Sequence, residues 1–330
     1  MRVSLKNIIV PSIPLAGLLV VACCVLWLSA FFGARIITLS DQSATLMHNV
    51  QTYVAPNTLI STLLSLGFTL FNAFLLAQLN NRFTIIRTRT FLPLLVFMLL
   101  MSTWNETHTV NGSHIVLTLF IFSLFYFFSM VRNKSNSEQA FMGSFLISVG
   151  SILINPLIFI IPVCWIGFIL FQSLTLRTFL ASIFGTLAPW ILYLSALVLF
   201  NPSYDFRQVF IITPSIDLTF SMSLLPRIIY IGLITVIMII SIINLYSLAH
   251  SDAIDTQNKL NFLVLLLVAF SVLSFLFMSQ FVLFLPIIAL VYSLLISHPL
   301  TLKQNNFTGI LFLIFCVVNI AYVISKYIQI

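Results

Sequence analysis

Long apolar runs alternate with short polar gaps along the whole 330-residue chain. The runs fall at about 11–32, 58–79, 91–103, 114–131, 139–154, 157–172, 178–200, 224–247, 260–278, 281–297 and 307–325. An α-helix rises about 1.5 Å per residue, so about 20 apolar residues cross the roughly 30 Å of hydrocarbon in a bilayer. Most runs approach that length. The pattern predicts an all-α, polytopic transmembrane helix bundle of about 11 spans, forming a single domain over 1–330. The third, fifth, sixth and tenth runs are short, which suits tilted, re-entrant or internally shielded segments. Arg2 and Lys6 precede the first run as in a secretory leader. That run is longer than the apolar core of a leader and ten more follow, so it reads as the first span.

Two polar gaps are longer than a hairpin needs. In the gap from Gly33 to Asn57, Leu46, Val50, Tyr53 and Val54 recur at helical spacing, Gln42, Asn49 and Gln51 point elsewhere, and Pro56 closes the stretch. This predicts a short amphipathic helix lying in the membrane interface. The gap from Asn201 to Ser223 carries Tyr204, Asp205, Arg207 and Asp217. Asn155-Pro156 separates the fifth and sixth runs, Gly185 to Pro189 is expected to interrupt the seventh, and Pro286 lies in the tenth. Breakers of this kind free backbone carbonyls that neighbours or water must satisfy, and kinked packing is the ordinary outcome.

Charge adds orientation. With the N-terminus in the cytoplasm, Arg2, Lys6, Arg82, Arg87, Arg89, Arg132, Lys134, Arg177, Lys259 and Lys303 fall inside, and Arg35, Arg207, Arg227 and Lys326 fall outside. The bias predicts an N-in, C-out topology. Composition removes several classes of function. The chain is 61% hydrophobic and only 6% charged, too little polar surface for a water-soluble domain. The net charge of +7 is scattered over loops without interleaved aromatics, which excludes a nucleic-acid partner. Cys23, Cys24, Cys164 and Cys316 lie inside apolar runs with no metal-binding spacing, so neither a disulfide framework nor a zinc site is expected. Phosphate-binding glycine loops, nucleophile elbows and zinc-protease motifs are missing. Ionisable residues near mid-membrane are scarce; Asn72, Gln78, Asn244, Gln280 and Asn319 offer only amides, which argues against an ion-coupled pump.

Candidate chemistry sits in the outer gaps. Asp41, just beyond the first span, has the chemistry of a general base toward an acceptor hydroxyl or of an ion ligand; its competing reading is a helix N-cap. Trp104, Asn105, Glu106, His108 and His114 form a polar loop. Glu106 and His108, with His114, have side chains able to ligate a divalent metal, but Glu-x-His alone is not a metal signature, and no cofactor is expected. Tyr204, Asp205, Arg207 and Arg227 form an outward group suited to anions, because the guanidinium fork bonds two phosphate oxygens at once. Snorkelling to the headgroups is the alternative for both arginines.

Two stretches carry a resemblance. One is Phe71-Asn72-Ala73-Phe74-Leu75-Leu76-Ala77-Gln78-Leu79-Asn80-Asn81, followed by Phe91-Leu92-Pro93. The other runs from Phe145 through Asn155-Pro156 to Arg177-Thr178-Phe179-Leu180 and Gly185-Thr186-Leu187-Ala188-Pro189-Trp190. Together they resemble an uncharacterised family of polytopic bacterial inner-membrane proteins. That resemblance implies a location in the cell inner (plasma) membrane and supplies no catalytic residue. The architecture is also similar to multi-span membrane glycosyltransferases that use lipid-phosphate sugars, and to polysaccharide polymerases. Those families place an acidic residue and interfacial helices in the first outer loop, where this chain has Asp41 and residues 46–54. The chain departs from them in having Gln42 after Asp41 instead of a second acid, and in lacking a soluble outer domain.

Three functions follow as expectations. The first is an enzyme acting on a lipid-linked sugar or glycan at the outer face, with Asp41 as base, Arg207 or Arg227 on the phosphate, and Tyr204, Asp205, Glu106 and His108 around the substrate. The second is a facilitator or flippase for an amphipathic substrate, with a cavity lined by Asn72, Gln78 and Asn244. The third is a non-catalytic subunit or scaffold whose partners are other membrane proteins. In all three the lipid bilayer is the immediate surrounding.

Overall fold

A computed structural model describes residues 58–88, 90–132, 136–200, 225–248, 252–302 and 305–328, together with residues 17, 20–22, 24–27 and 214. The predicted interfacial helix over 46–54 lies outside the described residues. Every regular element among them is helical. In chain order these are α1 (Thr58–Phe83), α2 (Leu92–Thr103), α3 (Gly112–Ser129), α4 (Ser137–Leu153), α5 (Ile161–Leu170), α6 (Leu176–Phe200), α7 (Leu225–Leu248), α8 (Ile254–Leu276), α9 (Phe281–Leu302) and α10 (Asn306–Ile328). Short 3-10 turns cover Asn105–His108, Asn155–Ile160 and Met278–Gln280. Seven of the described helices are long and apolar enough to cross a membrane. Their exposed surfaces are made of Leu, Ile, Val and Phe, as a face against lipid requires.

The bundle is organised around α9, which packs against α2, α3, α7, α8 and α10. In α9 83% of the most apolar stretch is buried, against 11% in α6, which packs chiefly on α4 at the periphery. A helix apolar on every side can be satisfied at the centre of a bundle as well as in lipid, and α9 takes the central place. It is longer than its apolar run, reaching Leu302. Its polar residues do not end it, because Ser297 Oγ donates to Ser293 O (2.6 Å) and Thr301 Oγ1 to His298 O (2.9 Å) within the helix. The short third run forms the 12-residue α2, about 18 Å long at 1.5 Å per residue. It is shielded by α1, α9 and α10 and extended by the buried Ile85 and Ile86 on one side and the Asn105–His108 turn on the other.

The breakers divide into two kinds. Asn155-Pro156 ends α4 and opens a 3-10 turn, with the proline in the first turn where its missing N–H costs nothing. Gly185 to Pro189, expected as an interruption, instead lies inside the continuous α6. Pro189 cannot donate to the Gly185 carbonyl, and α4 braces the weakened turn. Ser148 Oγ donates to Thr186 O at 2.6 Å, and Trp190 Nε1 donates to Ser151 Oγ at 2.9 Å.

Side-chain contacts define two ends. Trp104, Tyr230, Phe281 and Tyr322, from the margins of α2, α7, α9 and α10, meet at one. Arg87, Asp252 and His298 meet at the other, with the Arg132–Asp255 pair and Lys259. These are the groupings that an up-and-down bundle with the predicted loop alternation brings together.

Candidate functional site

The turn between α2 and α3 is held from beneath by hydroxyls. Trp104 leaves the helix in an extended conformation, which frees the last carbonyls of α2. Thr107 Oγ1 donates to two of them, Met101 O (2.5 Å) and Trp104 O (2.6 Å). Ser65 of α1 donates to Thr107 O at 2.6 Å, and His114 Nε2 sits 3.1 Å from both that oxygen and Ser65 Oγ. Ser61 Oγ accepts the Val110 N–H at 3.0 Å. The loop 104–114 is therefore bound to α1 by buried polar contacts along most of its length.

On that support the structure brings together two of the sequence candidates. Arg227 is the third residue of α7, where the helix dipole disfavours a cation. Glu106 offsets this by pairing one carboxylate oxygen, Oε1, with Arg227 Nη2. The guanidinium also lies over the Trp104 ring, 5.4 Å from its centre. Trp104 packs edgewise on Tyr230 (5.8 Å) and at a tilt against Tyr322 (5.8 Å); those two rings stack at 4.1 Å. Tyr230 completes the frame by donating its hydroxyl to Asn319 Oδ1 at 2.9 Å. The three aromatic rings are buried, so they position the cation and do not offer a platform to a ligand. The Arg227 side chain keeps 36% of its exposure; that of Glu106 keeps 11%, and its Oε2 is buried with no hydrogen-bond partner. Such an arrangement can take an anion on the open side of the guanidinium.

No family model, no curated protein and no solved structure matches the chain.

Asp41, Tyr204, Asp205 and Arg207 lie outside the described residues. His108 is buried against Trp27 of the first run, ring centres 4.3 Å apart, and His114 faces the Ser65–Thr107 network, so neither joins Glu106 as a metal ligand. Among the described residues no three His, Cys, Asp or Glu side chains are placed to hold a metal. Asn72, Gln78 and Asn244 do not line a common cavity. Asn72 is buried between α1 and α3, where it accepts from Thr118 Oγ1 at 2.8 Å. Gln78 is exposed, and Asn244 donates to Ile240 O of its own helix at 3.0 Å.

Sequence reasoning missed the second charged group, at the opposite end. The carboxylate of Asp252 and the ring of His298 are both 0% exposed, and Arg87 reaches the same carboxylate. His298 was the available signal, a titratable residue at the margin of an otherwise apolar run. Nothing in the spacing linked it to Asp252.

Proposed function

We propose that this chain binds a lipid-linked phosphate, of the polyprenyl-phosphate-sugar class, at the bundle end formed by Glu106, Arg227 and Trp104. On this reading it is a multi-pass protein of the bacterial plasma membrane, with that end on the outer face. The observation that carries the reading is the Arg227 guanidinium, partly open to the surroundings yet held in place by Glu106 and the Trp104 face. A lipid phosphate arrives at the level where such an arginine sits. The fixed fork then binds two of its oxygens without ordering a flexible side chain first. In the enzymatic form of the reading, Asp41 takes the proton of an acceptor hydroxyl as that oxygen bonds to the sugar. The phosphate leaves with the electron pair of the broken glycosidic bond, its charge held by Arg227 and Arg207.

The test is binding. Protein in nanodiscs doped with polyprenyl phosphate is released into a native mass spectrometer and the retained lipid counted. Replacing Arg227 by Gln is expected to lower retention about tenfold, the scale of one charge-assisted hydrogen-bonded contact. Glu106→Gln, which removes the resident carboxylate charge, is expected to keep or raise it. Equal retention by wild type and Arg227→Gln sinks the proposal and leaves the Glu106–Arg227 pair as a structural tie within a non-catalytic membrane subunit.

A further inference from the structure

The charged group at the other end is independent of the lipid-phosphate site and calls for its own explanation. Three separate stretches of chain converge on one carboxylate. Asp252 precedes α8, Arg87 lies in the segment after α1, and His298 is near the end of α9. Arg87 Nε stands 2.8 Å from Asp252 Oδ1, and His298 Nε2 stands 3.2 Å from Oδ2. Arg87 and Asp252 meet by charge and the His298 ring by close packing; no aligned hydrogen bond satisfies either ring nitrogen of His298 or either oxygen of Asp252.

The neighbouring charges are already committed. Asp255 of α8 pairs with Arg132, beyond α3, at 2.7 Å. Lys259 of α8 donates to Phe83 O at 3.0 Å, and Arg82 of α1 lies over the Phe83 and Phe125 rings. Arg87 and Asp252 together are neutral. A neutral imidazole therefore completes an uncharged buried cluster, whereas an imidazolium gives it a net positive charge beside the Arg87 guanidinium. It also puts an N–H on both ring nitrogens, and while Nε2 faces Asp252 Oδ2, Nδ1 is buried with no acceptor. Attraction to Asp252 opposes this, but Arg87 has already neutralised that carboxylate. The balance favours expulsion of the charged ring toward solvent. Arg87, with 42% of its side chain exposed, marks the side on which water is near.

We propose that Arg87, Asp252 and His298 form a proton-binding latch, closed with His298 neutral and opened when His298 takes up a proton. Opening separates the end of α9 from the start of α8 and from the segment after α1. Histidine is the side chain suited to such a switch between about pH 5 and 8.

Hydrogen exchange of the full chain in nanodiscs, corrected for the intrinsic pH dependence of exchange, tests this directly. Peptides covering 252–262 and 292–302 are expected to lose protection about tenfold between about pH 7.5 and 5.5, the scale of one unsatisfied buried donor. His298→Gln, whose amide stays neutral, is expected to abolish that loss and also distinguishes His298 from His250, which precedes Asp252 by two residues in the sequence. Flat protection in the wild type, or the same loss in His298→Gln, overturns the proposal. Should that variant not fold, His298→Asn, whose amide also stays neutral, supplies the same comparison. A loss that also appears in peptides over 104–114 is general loosening and overturns the latch; a loss confined to the Asp252 end upholds it.

Discussion

A β-carbon built on Gly185 would collide with the carbonyl oxygen of Phe141, so α6 approaches α4 more closely there than a residue with a side chain allows. Gly143, two residues further along α4 and so on its opposite side, stands against the Phe127 ring of α3 in the same way. Membrane helices associate by such close packing because lipid leaves no hydrophobic gain from burying one apolar face on another. Gly185→Val is therefore expected to lower stability by about 2 kcal/mol, the usual scale of overpacking, read as a fall in thermal midpoint in detergent. Polar contacts between helices weigh less. Asn72→Leu removes the contact with Thr118 Oγ1 at 2.8 Å and the longer one to His114 O at 3.4 Å. Its expected cost is only about 1 kcal/mol, because such groups find other partners in the unfolded membrane state. The same thermal measurement ranks the two variants, and a larger loss for Asn72→Leu reverses this ordering of forces.

At the scale of elements, what the chain reveals depends on whether the determining residues are neighbours in sequence. The helices α1, α3, α7 and α10 coincide with their apolar runs to within about four residues, since each run is itself the helix, whereas α8 starts six residues earlier, at Ile254. The extent of α9 was harder to read. Ser293, Ser297 and Thr301 look like the approach to a loop, but they bond backward to their own helix carbonyls and remain buried. Pro189 looked like a break because the donors that brace its turn, Ser148 and Trp190, sit on α4 and on the far side of the proline. The site was legible as residue types and not as partners. Arg227 was a candidate for anion binding and Glu106 for metal or substrate contact, but they are 121 residues apart, and only the fold shows them paired. Asp252 and His298 carried no shared motif at all.

For the whole molecule, Arg87, Arg132 and Lys259 of the predicted inner loops and the Glu106–Arg227 pair fall at opposite ends of the bundle. Their sidedness can be measured with single cysteines at two exposed positions, Thr84 and Asn105, after replacing Cys23, Cys24, Cys164 and Cys316. An impermeant maleimide added outside intact cells is expected to label Asn105→Cys and spare Thr84→Cys. The reverse pattern overturns the N-in orientation, and with it the outer-face location of the lipid-phosphate site.

The central position of α9 also bears on biogenesis. Eight of the ten described helices precede α9 in the chain, yet α2, α3, α7 and α8 all pack on it. The earliest of them, α2 and α3, enter the bilayer long before the element that joins them is synthesised. Insertion and assembly are thus separated in time. Until α9 arrives, the early helices are held by lipid and by pairings such as α4 with α6, and the nascent chain presents the cell's membrane quality control with a half-built protein.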